Sequence, residues 1–205
     1  MEQLPLVIGW VLYAALHSLL ADLRFKDAVA RRWPRFSPWY RLSYNAVALL
    51  TALPLMWLMR VSPGPDLWAW HGAGFWLANG LALAALWGAM QSSRAYAMND
   101  FLGLGVLGAQ KDIARDVFRL SPPHRFVRHP WYSFGLVIVW TRDMNAAMLV
   151  SALAITLYFV LGSQLEERKL IAIHGDTYRR YRAKVPGLMP LPWKWLSRED
   201  AANFH

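Results

Sequence analysis

Long apolar runs separated by short polar loops constrain this chain more than any other feature. Four runs hold about 16 to 20 residues each and are long enough to cross a bilayer as helices; they cover residues 4–20, 42–59, 75–90 and 146–165. A fifth run, residues 131–141, is short for a full span. Because backbone groups must be satisfied internally in lipid, we predict an all-α integral membrane protein with about five transmembrane helices.

The last two apolar runs are joined by the tight polar turn 142–145, which predicts a helical hairpin. We expect its first arm to be lengthened by the residues before Trp131. From Glu166 onward the chain is polar and basic, and we predict a cytoplasmic tail that is helical to about Lys184. Val185-Pro186 and the prolines that follow end any helix there.

The basic residues are distributed unevenly between alternate loops. The chain carries a net charge of +9, and all but two of its 22 Lys and Arg residues fall in 22–41, in 91–128 or in the tail; the exceptions are Arg60 and Arg142. By the positive-inside rule this places the N-terminus outside and the C-terminus in the cytoplasm. The positive charge therefore reflects the membrane topology, and we expect contact with membrane lipid and no nucleic-acid partner. The 12 Trp residues suit the two membrane interfaces.

Two polar clusters lie beside apolar runs. The stretch 125–135 (RFVRHPWYSFG) combines three cations with a proline that suits a first helical turn, where orphan N–H groups favour an anion. Glu166 and Glu167 follow the apolar run 146–165, where two carboxylates next to hydrocarbon are costly unless they are paired. Their partners are either basic residues of this chain or a ligand that carries an ammonium or sulfonium group.

Three aromatic or titratable side chains add to these clusters. Tyr178 and Tyr181 lie three residues apart and so share a helix face, either as interfacial aromatics or as the cover of a bound ligand. His129 is a candidate general base or hydrogen-bond donor. The histidines show no metal-binding spacing and the chain has no cysteine, so we expect no metal site.

Residues 128–135 (RHPWYSFG) match a recognisable pattern, together with Glu166-Glu167, the segment 174–181 (HGDTYRRY) and the prolines 186 and 190. This order and spacing resemble the isoprenylcysteine carboxyl methyltransferase and phospholipid methyltransferase superfamily. The match covers about a third of the chain. Residues 16–18 and 40–45 are similar to bacterial members, among them membrane thiol methyltransferases and the NnrU-like group.

The resemblance implies a membrane enzyme that transfers a methyl group from S-adenosylmethionine to a lipophilic or small membrane-accessible acceptor, a carboxylate, thiol or amine, at the cytoplasmic face. Residues 1–205 would form one domain, with a three-helix membrane part at 1–91 and a cofactor-binding part at 92–205. The implied cofactor-binding residues are His129, Pro130, Tyr132, Glu166, Glu167, Tyr178 and Tyr181. His129 and Arg128 are the candidates for catalysis.

Two features depart from the family's pattern. The glycine-aromatic pair that often precedes its motif is replaced by Pro122-Pro123-His124, and Trp131 and Phe134 are bulky where smaller residues are common. Both features lie where the resemblance places the pocket for the acceptor or the cofactor. They set this chain apart from members that act on the family's best-known substrates.

Other interpretations remain open from sequence. One is a membrane reductase on a related fold that uses NADPH, and another is a non-enzymatic accessory protein. Residues 91–124 are expected to form an amphipathic surface segment that covers the site; their GxGxxG order at 103–108 sits in no βαβ unit and predicts no dinucleotide site. The resemblance implies a bacterial inner membrane. The oligomeric state stays open.

Overall fold

The computed structural model describes residues 2–93, 103–104, 120–202 and 204. In these residues the chain is almost entirely helical, which confirms the predicted all-α membrane fold. The helices are α1 Leu4–Ala21, α2 Leu23–Arg32, α3 Tyr40–Val61, α4 Gly72–Ser93, α5 Pro130–Trp140, α6 Ala146–Lys184 and α7 Arg198–Ala202. Short 3₁₀ turns lie at Ser37–Trp39 and Pro122–Arg125.

Four of the described helices are long and apolar enough to cross a membrane: α1, the α3 segment with its preceding turn, α4 and α6. Their outward faces are rich in exposed leucine, as expected for surfaces that lipid covers. Helix α5 has 11 residues, about 16 Å of helix, which is roughly half the hydrocarbon thickness. It begins at Pro130, so the upstream residues do not lengthen it as expected. The prolines at 122 and 123 begin a separate 3₁₀ turn instead.

The described chain separates into two compact units, and the first comprises residues 2–69, 103–104 and 143–154. Helices α1 and α3 pack together in it around Leu6, Leu55 and Ala147. At one end Gln3 Nε2 donates to the carbonyl of Ser62 at 2.9 Å. At the other, Tyr40 Oη donates to the carbonyl of Leu20 at 2.7 Å. The two helices are therefore antiparallel.

A small antiparallel sheet lies at the first of these ends. Strand β1, Asp66–Trp68, pairs with strand β2, Met144–Asn145. The sequence predicted only turns at these two places. The pairing brings the loop after α3 and the turn before α6 to the same end of the unit, as the alternation of basic loops requires.

The second unit comprises residues 70–93, 120–142 and 155–204 in the described chain. Helix α5 packs against the small-residue face of α4, where a Cβ on Gly88 would lie 2.6 Å from the ring of Phe134. Helices α5 and α6 meet through side chains: Trp140 Nε1 donates to Thr156 Oγ1 at 3.0 Å, and the rings of Tyr132 and Phe159 stack. These contacts run in opposite order along the two helices, which gives the predicted hairpin.

Helix α6 carries the chain from the apolar region into the tail. It ends at Lys184, as the sequence predicted, but it is broken at Gly175, whose φ of 55° and ψ of −128° are not helical. After the break, Tyr178 and Tyr181 form the core of the tail with Val185, Leu196 and Phe204. The expected surface segment at 91–124 lies mostly outside the described residues.

Candidate active site

The site is built on the first turn of α5. His129 is the N-cap residue and Pro130, at the first helical position, is fully buried. The carbonyl of His129 accepts hydrogen bonds from the backbone N–H of Ser133 at 3.0 Å and from its hydroxyl at 2.9 Å. The imidazole does not cap the helix. The turn is thus held by its backbone, and the His129 ring is directed to α6.

Glu167 is the centre of the charged cluster. Its residue is only 5% exposed. Oε1 accepts from Arg128 Nε at 2.7 Å and lies 3.1 Å from His129 Nε2. Oε2 lies 3.1 Å from Nε of Arg182. Two guanidinium groups and an imidazole therefore compensate this buried carboxylate, and such charge-assisted bonds are the strong ones.

Arg128 also fastens the tail to the motif. Its Nη1 donates to the carbonyls of Arg182 and Val185, at the end of α6. Its backbone N–H donates to the carbonyl of Pro186 at 2.8 Å, and that of His129 donates to Gly187 at 3.2 Å. The Val-Pro-Gly segment thus wraps the Arg-His-Pro segment. This explains why the two motifs, over fifty residues apart, occur together.

Glu166 has a different environment from its neighbour. Its side chain is 50% exposed. Oε2 lies 3.4 Å from His129 Nδ1 and 3.4 Å from the hydroxyl of Tyr132. Beside it, the rings of His129 and Tyr132 are parallel with centroids 5.5 Å apart, and Phe159 continues the stack at 4.6 Å. An accessible carboxylate beside flat aromatic faces is suited to a cationic ligand.

His129 lies between the two glutamates. Burial lowers the pKa of its imidazole, but hydrogen bonds to Glu166 and Glu167 and the charges of both carboxylates outweigh burial. The pKa of His129 is therefore raised above its usual value. This shift favours the protonated ring, in which Nδ1 would donate to Glu166 and Nε2 to Glu167.

Tyr178 and Tyr181 lie behind the cluster. Each is 1% exposed, and their rings meet edge to face at 5.7 Å. The Tyr181 hydroxyl donates to the carbonyl of His124 at 2.7 Å, so it supports the segment before the motif. The structure therefore brings all seven of the predicted cofactor-binding residues and Arg128 into one unit, with these two rings in its core.

Sequence analysis missed two participants. Arg182 was counted only among the basic tail residues, although it lies four residues after Tyr178 and hence on the same helix face. The other is the buried pair of Ser121 and His124, whose Oγ and Nδ1 are 2.6 Å apart. Burial, with the charge of His129, lowers the pKa of His124 to about 4, so this imidazole is neutral.

The chain is similar over most of its length to three bacterial proteins. Methanethiol S-methyltransferase 2 of Bradyrhizobium diazoefficiens is 35% identical over 185 residues, which cover 87% of this chain and 70% of the relative. The methanethiol S-methyltransferase of Crocosphaera subtropica is 30% identical, covering 87% and 71%. That of Mycobacterium tuberculosis is 31% identical, covering 88% and 75%.

This chain belongs to the isoprenylcysteine carboxyl methyltransferase-like family of membrane methyltransferases. No family model matches it, and no solved structure does. The membership confirms the resemblance found in the carboxy-terminal motifs, and the similarity extends well beyond them, since it covers 87% or more of the chain. A member of this family is an enzyme that transfers methyl groups, so the charged cluster on α5 and α6 belongs to a methyltransferase.

Proposed function

We propose that this enzyme transfers the methyl group of S-adenosylmethionine to a small thiol at the cytoplasmic face of a bacterial inner membrane. The observation that carries the proposal is Glu166, an accessible carboxylate beside the parallel rings of His129 and Tyr132. The thiol as acceptor is suggested by the names of the three relatives.

The residues present fit this cofactor. S-adenosylmethionine carries an ammonium group, a sulfonium group and a flat base, and it would need a carboxylate and an aromatic face. Glu166 offers the carboxylate, whereas both oxygens of Glu167 are engaged by Arg128, His129 and Arg182. Of the two glutamates, Glu166 is thus the better candidate for the ammonium group. Tyr132 would line the pocket, and the buried residues Pro130, Tyr178 and Tyr181 would support it.

Arg182 is suited to a second role. Its side chain is 53% exposed although its Nε contacts buried Glu167. The exposed part of the guanidinium lies on the same cluster as Glu166 and would bind the carboxylate of the cofactor. Opposite charges at two fixed places would orient the cofactor, and orientation is the main demand of a direct methyl transfer.

When bound, S-adenosylmethionine would supply an already activated methyl group. The acceptor thiol has to lose its proton, and a thiol of cysteine type ionises near pH ~8.5. The raised pKa of His129 favours its protonated form, in which neither ring nitrogen is open to that proton. We therefore expect the acceptor to react as the thiolate. The role of His129 and Arg128 would be to hold Glu167 and the tail in place.

The experiment is an acceptor screen with S-adenosylmethionine labelled in its methyl group, on protein in liposomes. Small thiols, fatty carboxylates and amines are compared. We expect label on thiols, with a rate that rises with pH as the thiolate fraction increases. Label on carboxylates or amines alone would contradict the thiol as acceptor. A rate on thiols that does not change with pH would contradict the proposed absence of a protein base.

A further inference from the structure

The tail segment 189–195 forms a turn whose outer surface is apolar, although it follows a polar and basic helix. Lys194 N–H donates to the carbonyl of Leu191 at 3.0 Å and closes the turn around Pro192 and Trp193. Trp193 is 78% exposed and Met189 is 74% exposed. Trp195 is half-exposed and stacks on Phe126, which is itself exposed.

The turn is fixed at both ends to the segment that carries the charged cluster. Before it, the carbonyl of Leu188 accepts from the hydroxyl of Ser133 at 2.6 Å. After the turn, Leu196 is fully buried. The backbone N–H of Leu196 donates to the carbonyl of Arg125 at 2.9 Å, and Arg125 Nε donates to the carbonyl of Leu196 at 3.0 Å. The backbone of the turn is thus hydrogen-bonded to that segment both before and after the exposed side chains.

We propose that the 189–195 turn is an interfacial membrane anchor, with its side chains inserted between lipid headgroups. Exposed clusters of large apolar side chains mark interaction surfaces. Tryptophans that flank a lysine suit the bilayer interface, where the rings lie among the headgroups and the ammonium reaches the phosphates.

Continuity with the membrane-spanning part favours lipid over a protein partner. The turn is bonded through Leu188 to the first turn of α5, the apolar helix that carries the partly exposed Trp131. An apolar surface attached to the start of an apolar helix lies where that helix meets the lipid. The anchor would therefore fix the depth of Arg128, His129 and Glu167 at the interface, whatever ligand the cluster binds.

The absence of cysteine from the chain allows a direct test, because any introduced cysteine is a unique labelling site. A nitroxide is attached to Trp193→Cys and, separately, to Met189→Cys, in liposomes of phosphatidylethanolamine and phosphatidylglycerol. Collision with oxygen, which enters lipid, is compared with collision with a water-soluble nickel chelate. The control is Asp176→Cys, whose parent side chain is 85% exposed on the same tail.

We expect the logarithm of the oxygen-to-nickel ratio to be clearly higher at both turn positions than at the control. Two positions are labelled so that the test survives if one variant fails to fold, and circular dichroism of each variant identifies such a failure. A value at both turn positions equal to that of the control would place the turn in water and overturn the proposal. Low accessibility to both reagents, or broadening by spin–spin contact, would assign the surface to a protein partner or a second copy and would also overturn it.

Discussion

Adjacent glutamates in this enzyme have opposite environments, and the difference sets what each one does. Glu167 is buried and held by Arg128, His129 and Arg182, while Glu166 is half exposed. A buried carboxylate of this kind contributes mainly by compensating the cations around it. We therefore propose that Glu167 maintains the integrity of the site and that Glu166 contacts the ligand.

Glu167→Gln should reduce stability. Removing the charge leaves the buried guanidinium of Arg128 without its counter-charge, and breaking a buried pair costs about 3 kcal/mol or more. Gln keeps an acceptor, and Arg182 is half exposed, so we expect the lower end of that range. Thermal unfolding in detergent measures it, with Glu199→Gln on exposed α7 as the control for loss of one charge. Equal midpoints for the two variants would contradict the role given to Glu167.

His124 should make the fold sensitive to acid. Its pKa is about 4 in the folded chain because burial disfavours the charged form, against about 6.5 when unfolded. Above pH ~6.5 the ring is neutral in both the folded and the unfolded chain, so it costs no stability. As the pH falls from there through about 4, protonation favours the unfolded chain, and the free energy of unfolding decreases by ~3 kcal/mol.

The check is thermal unfolding between pH 7.5 and 4 for the wild type and His124→Asn. Asn keeps an acceptor for the N–H of Ser121 but does not titrate, while His129 and Glu166 are unchanged in both proteins. We expect the wild type to lose more stability than the variant over this range. Parallel curves would show that His124 does not carry the acid sensitivity.

At the scale of elements, the break in α6 positions the tail. Helix α6 runs for 39 residues, and at Gly175 its backbone leaves the helical region with a positive φ. Only glycine adopts this conformation readily. The break turns the following residues so that Tyr178 and Tyr181 enter the core while Arg182 reaches Glu167.

Gly175→Ala should therefore destabilise the tail by about 1–3 kcal/mol through backbone strain alone. A Cβ at 175 would meet nothing within 4 Å, so no steric clash contributes. Gly80→Ala in α4 is the matched control, because its Cβ also meets nothing within 4 Å and its φ is not positive. Unfolding midpoints are compared. A stable Gly175→Ala protein would mean that the break follows from packing and does not require glycine.

Much of this arrangement could be predicted from the sequence because it depends on patterns within one element. Apolar length predicted the spanning helices, and Val185-Pro186 predicted the end of α6 at Lys184. The short α5 was harder, since its packing against Gly88 of α4 involves residues over forty positions apart. The distinction between Glu166 and Glu167 required the partners of each carboxylate, which adjacent positions in a sequence do not reveal.

At the scale of the whole molecule, the predicted topology puts the basic loops and the site on the same face of the membrane. The apolar run 146–165 holds twenty residues, about 30 Å as a helix and thus the thickness of the hydrocarbon core. The orientation that the basic residues predict would put Glu166 at the cytoplasmic side.

Single cysteines test this orientation. A membrane-impermeant maleimide is applied to intact cells that express Ser62→Cys, in the loop after α3, or Ser37→Cys, in the first basic loop. We expect Ser62→Cys to be labelled from outside and Ser37→Cys to be labelled only after lysis. The reverse pattern would invert the topology, and it would place the cluster on the other face of the membrane.

The central claim is that Glu166 binds the cationic cofactor, and calorimetry with S-adenosylmethionine on the purified protein tests it most directly. The comparison is between the wild type, Glu166→Gln and the Glu199→Gln control. We predict micromolar binding that Glu166→Gln weakens tenfold or more, about 1.4 kcal/mol, with an unchanged unfolding midpoint. Folded wild-type protein that does not bind, or a Glu166→Gln protein that binds as the wild type does, would contradict the account.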